Sequence, residues 1–72
     1  MVNPIKIHRM SIGVTQAELA RRVGTSRQMV HVWESSDAIP TDHWIPKLAA
    51  VFGVKPIDFA REVEQARVAF VA

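Results

Sequence analysis

Cysteine is absent from the 72-residue chain, so neither a disulfide nor a thiolate-held metal can staple it. Glycine and proline are scarce, at three and four residues, and with 49% hydrophobic and 22% charged residues this excludes a disordered composition. No apolar run approaches the ~18 residues that a bilayer-spanning helix needs, and the first residues lack the basic-then-apolar pattern of a signal peptide. The expectation is a cytoplasmic chain with no membrane partner. At this length it forms one small domain, residues 1–72, near the lower limit at which an apolar core holds unaided. Packed helices must supply that core, and no repeat or linker interrupts it.

Charge is informative by region. Up to Glu34 there are five basic residues against two acidic ones, a net +3, whereas from Ser35 onward four basic and five acidic residues give −1. The isoelectric point of about 9.7 favours a polyanionic partner, although the total of +2 is modest.

Local rules mark the elements in turn. Asn3-Pro4 reads as a helix start, an amide that caps free N–H groups followed by a residue with no N–H to leave unpaired. Ile5, His8, Arg9 and Ile12 recur at helical spacing and Gly13 suits a left-handed end, which predicts a first helix over roughly Pro4 to Ile12. Thr15 opens a second helix with a capping box: its hydroxyl meets the N–H of Glu18, and the Glu18 carboxylate returns to the N–H of Thr15, with Val14 and Leu19 in staple positions. Leu19, Ala20 and Val23 face inward, Arg21 and Arg22 outward, and Gly24 closes the helix.

Ser26 caps a third helix, about Arg27 to Glu34, that buries Val30 and Trp33 and turns Arg27, Gln28, His31 and Val32 outward, with Met29 at the margin. The stretch Gln16 to Ser35 therefore pairs two short helices through a glycine turn and concentrates polar side chains at the start of the second. Pro46 places the start of a fourth helix near Trp44 or Ile45, and Gly53 ends it. Pro56 starts a fifth, with Ile57, Phe59, Ala60, Val63 and Ala66 on one side. The tail from Arg67 to Ala72 either extends that helix or forms a short strand. The architecture is a compact all-α domain of five helices.

Thr15-Gln16-Ala17-Glu18-Leu19-Ala20, the turn Val23-Gly24-Thr25-Ser26, Trp33-Glu34, and Leu48-Ala49 through Phe52-Gly53-Val54 together resemble the Cro/CI-type helix-turn-helix family of phage repressors and bacterial regulators. The resemblance covers about Ile5 to Phe59. It implies a lambda-repressor-like domain that binds double-stranded DNA as a homodimer on a near-palindromic operator. Position by position, Gln16 resembles the family glutamine that bonds a backbone phosphate and braces the recognition helix, while Ser26, Arg27, Gln28, His31 and Val32 match positions that face the major groove. Gln28 suits the N6 and N7 edge of adenine, Arg27 the O6 and N7 of guanine or a phosphate, and Val32 a thymine methyl. The resemblance further implies an ion pair between Arg9 and Glu34 that fixes the angle of the recognition helix.

Two departures carry expectations of their own. Ser36 stands where the family often has glycine, so the following loop should take a different path. Asp37 and Asp42 lie where the family approaches phosphate; Asp42 is expected to face away, with backbone N–H groups of Thr41 to Trp44 left to meet it. Other chemistry finds no support. His8, His31 and His43 fall on separate elements without ligand spacing, no cofactor is implied, and no nucleophile elbow or phosphate loop suggests an enzyme. Trp33 and Trp44 read as core. The apolar tail, Phe70 included, either covers the first helix or forms a dimer surface. The competing function is a protein-interaction module that keeps the fold but docks a toxin or polymerase subunit instead of DNA.

Overall fold

The computed structural model describes residues 3–35, 40 and 42–71, with side chains as far as residue 66. Among them are five helices and no strand: α1 (Pro4–Ser11), α2 (Gln16–Val23), α3 (Arg27–Ser35), α4 (Ile45–Phe52) and α5 (Pro56–Val71). The first four have eight or nine residues each, too few to persist alone in water, so their ends and their packing decide their existence.

The ends follow local chemistry. Asn3 Oδ1 accepts from the N–H of Ile5 at 2.9 Å and of Lys6 at 3.1 Å, with Pro4 at the first position of α1. Ile12 is the last half-helical residue rather than part of the helix. Thr15 Oγ1 accepts from the Glu18 N–H at 3.1 Å, which is half of the expected capping box. The other half is corrected. Instead of returning to Thr15, the Glu18 carboxylate takes Arg21 and Arg22, three and four residues on, because two guanidinium groups offer stronger charge-assisted bonds than one backbone N–H. Ser26 Oγ accepts from the Met29 N–H at 3.1 Å and so starts α3, which runs one residue past Glu34.

The turn between α2 and α3 depends on Gly24, whose φ of 85° is left-handed and whose N–H, with that of Thr25, bonds the Ala20 carbonyl at 2.9 Å. A Cβ built there meets nothing within 4 Å, so the cost of a side chain is conformational alone. Gly24→Ala should lower the unfolding free energy by about 1 kcal/mol, measured by urea denaturation.

α4 begins at Ile45 with Pro46 in its first turn, as a proline there requires. α5 continues to Val71, so the backbone of the tail extends the helix rather than forming a strand. The expectations for Ser36, Asp37, Thr41 and Ala72, and for the side chains of Val68, Phe70 and Val71, lie outside the described residues.

All five helices feed one core of Ile5, Leu19, Ala20, Val23, Val30, Trp33, Ile45, Leu48, Ala49, Phe52, Phe59 and Val63. α2 packs on α3 and α4, α4 on α5, and α1 bridges α5 and α3. Trp33 is buried as expected, but Trp44 is only half-buried; its ring lies 5.6 Å from that of Trp33 and carries Lys47 Nζ 5.1 Å from its centroid. His8 is more deeply engaged than its spacing alone suggests. Its ring stacks on Phe52 at 5.2 Å and meets the edge of Phe59 at 5.6 Å, while Nε2 lies 2.7 Å from Glu62 of α5.

Candidate nucleic-acid interface

α3 divides into a buried and an open side. Val30 and Trp33, three residues apart, enter the core, while Arg27, Gln28 and His31 are exposed and Val32 is half-buried. Met29, at the edge, is 40% exposed and sets an apolar thioether beside the polar groups. Ser26 is exposed as well; its oxygen is occupied by the cap, which leaves the hydroxyl hydrogen to donate outward. Five of the six residues expected to meet DNA thus lie in or at the start of this one helix. Neither Arg27 nor Gln28 spends its side chain on a hydrogen bond or ion pair with another described residue.

Gln16, the sixth, sits at the first position of α2, half-buried, and donates Nε2 to Glu34 Oε1 at 3.1 Å. One amide hydrogen therefore braces α3, and the other remains. The expected ion pair is present on the same carboxylate: Arg9 Nε lies 2.6 Å from Glu34 Oε2 and Nη2 lies 3.1 Å from Oε1, with side chains 14% and 4% exposed. Arg9 Nη1 donates to the Val14 carbonyl at 2.8 Å, which ties the α1–α2 connection to the same guanidinium. Its hydrogen bonds to Glu34 raise the Arg9 pKa above its ordinary value, so the cation persists throughout the working pH range.

A third attachment was not legible in the sequence. Asn3 Nδ2 donates to the Trp33 carbonyl at 2.7 Å, across thirty residues. The asparagine type signals a cap, but nothing in its local context shows where the donor half of the amide goes.

Electrostatically, the basic excess of the first half is smaller than a count suggests. Arg9 is neutralised by Glu34, and Arg21 and Arg22 share Glu18. Hydrogen bonds from Arg21 and then Arg22 hold the Glu18 carboxyl below its usual range. Such a depressed group supports the fold above its unfolded pKa and ceases to do so as pH falls through the lower folded value. Lys6 and Arg27 are exposed and outside these pairs. At the start of α4, Asp42 is exposed, no side chain caps the helix, and Lys47 Nζ lies 3.3 Å from His43 Nε2. No group of three potential metal ligands gathers among the described residues, and no helix there is long and apolar enough to cross a membrane.

Comparison with known proteins agrees with this geometry. No curated protein and no solved structure matched the chain. A family model described as helix-turn-helix matches residues 5–59, from the core-facing Ile5 of α1 to the buried Phe59 of α5, and so takes in all the contacts around α3 except that of Asn3. That family is one of DNA-binding regulatory domains and not of enzymes. The match over most of the chain, on a five-helix fold with an open α3 behind a glycine turn, means that the chain belongs to the helix-turn-helix family of Cro/CI-type DNA-binding regulators.

Proposed function

We propose that the chain acts as a dimeric repressor that reads the major groove of a near-palindromic operator. The observation that carries this reading is the division of α3, with long hydrogen-bonding side chains uncommitted on one side and core residues on the other. In this reading Gln28 pairs with the N6 and N7 edge of adenine, Arg27 with guanine or a phosphate, and Val32 with a thymine methyl. His31 meets a base edge or a phosphate. Gln16 offers its second amide hydrogen, and Ser26 its hydroxyl hydrogen, to backbone phosphates that position the helix without reading sequence. The uncapped start of α4, beside Lys47, serves the same end.

Two copies would join through the C-terminal part of α5, where Val68, Phe70 and Val71 are apolar, and set the two α3 helices ~34 Å apart in successive major grooves. Occupying a promoter then blocks transcription. Selection from random duplex DNA at two salt concentrations tests the whole reading. The expected product is a two-fold repeat with half-site centres one helical turn apart, bound less tightly at the higher salt because releasing counterions into more concentrated salt gains less free energy. A single half-site would remove the dimer. No enrichment even at low salt would remove the DNA reading and favour the module that docks a protein instead.

A further inference from the structure

We propose that Asn3 is a positioning residue for sequence readout: its one amide couples the start of α1 to the last turn of α3 and so sets the tilt at which α3 enters the groove. The inference rests on the reading of α3 as the helix that meets DNA. Its basis is the double use of the side chain. Oδ1 accepts from Ile5 and Lys6 at 2.9 and 3.1 Å, which holds the amide plane at the α1 N-terminus, and the same plane aims Nδ2 at the Trp33 carbonyl, 2.7 Å away. Trp33 lies among the last four residues of α3, whose carbonyls receive no N–H from within the helix.

The other attachments to this turn differ in kind. Arg9 and Gln16 both hold the Glu34 carboxylate, which reaches the helix through three rotatable bonds. Such a tether restrains distance and leaves rotation of the helix partly free. Asn3 grips the main chain. The geometry makes this consequential, because nine residues span ~13 Å, and a tilt of ~5° about the held end moves the first turn by ~1 Å. Hydrogen bonds to base edges tolerate only about half of that. Arg27 and Gln28 stand at that moving end.

Asn3→Asp separates the two uses. The carboxylate still accepts from Ile5 and Lys6, and aspartate caps helices as well as asparagine does, but it has no hydrogen to give the Trp33 carbonyl. Asn3→Ser is the companion variant; it also caps α1 and is too short to reach α3. In each, the protein should stay folded, with its unfolding midpoint lowered only by the loss of one hydrogen bond, while the preference for the selected operator over a duplex with one changed base pair falls about three- to tenfold. Binding to unrelated duplex should not change in Asn3→Ser; in Asn3→Asp the added negative charge weakens unrelated duplex and operator alike and cancels in the preference. Amide hydrogen exchange should quicken in the last turn of α3 and not in α1.

Unchanged discrimination in both variants would overturn the proposal, as would equal losses on operator and unrelated duplex, which would mean a structural role only. Unfolding of both variants would overturn it for the same reason. Should the parent chain select no operator, the DNA reading falls by itself and hydrogen exchange decides: faster exchange confined to the end of α3 supports the coupling, and unchanged exchange there removes it.

Discussion

Gln28→Ala should weaken binding to the selected operator by about 1–3 kcal/mol per half-site, and twice that in a dimer that uses both. The loss should be uneven across sequences. Replacing the one base pair that Gln28 reads should cost the parent protein this amount and the variant almost nothing, whereas changes elsewhere in the site should cost both alike. The prediction follows from exposure without commitment: the Gln28 side chain has no hydrogen bond or ion pair with a described residue, so its removal leaves no buried partner and should not move the unfolding midpoint. A titration of single-base operator variants against both proteins reads it directly. A uniform loss across all of them would assign Gln28 to phosphate rather than base.

Glu34→Ala should lower the unfolding free energy by about 3 kcal/mol, the lower end of what breaking a buried ion pair costs, because Arg9 keeps the Val14 carbonyl. The carboxylate receives Nε and Nη2 of Arg9 and Nε2 of Gln16, and its side chain is 4% exposed. Removing it leaves those donors facing one another with water able to reach only part of them. For a domain this small, that is a large share of a total stability of order 5 kcal/mol. Joint replacement, Arg9→Met with Glu34→Leu, should be less harmful than Glu34→Ala alone, since two apolar groups need no partners. Urea denaturation of the parent, Arg9→Met, Glu34→Leu and the double variant measures the coupling, with Glu34→Ala alongside. A Glu34→Ala variant within about 0.5 kcal/mol of the parent would show that the pair is screened by solvent and not structural.

Much of this organisation is local, and local chemistry is what a sequence displays. Asn3 and Pro4, Thr15, Gly24, Ser26 and Gly53 each mark an end because one residue and its next few neighbours decide the geometry there. Spacing separated Val30 and Trp33 from Arg27, Gln28 and His31 for the same reason. What local reading could not supply depends on competition or on distance. Glu18 had a backbone N–H and two guanidinium groups within reach, and only the folded geometry shows that the cations win. His8 shares helical spacing with Ile5, Arg9 and Ile12, but its position between Phe52 and Phe59 with Glu62 at its nitrogen requires α1, α4 and α5 to be docked. The Arg9–Glu34 pair came from likeness to the family, and the Asn3–Trp33 bond from neither likeness nor spacing. The tail was ambiguous because Val68, Phe70 and Val71 serve a strand or a helix equally, and its backbone continues α5.

The anchoring of α3 through its last turn has an evolutionary consequence. Among the described residues, the side chains that tie the helix to the rest of the fold, Asn3, Arg9, Gln16, Glu34, Val30 and Trp33, with Ser26 capping its start, occupy positions other than those of Arg27, Gln28 and His31. Mutations at the latter three positions therefore escape the selection imposed by folding. On the proposed reading, a lineage carrying this scaffold can move to a new operator by exchanging these exposed side chains one at a time, each intermediate remaining folded.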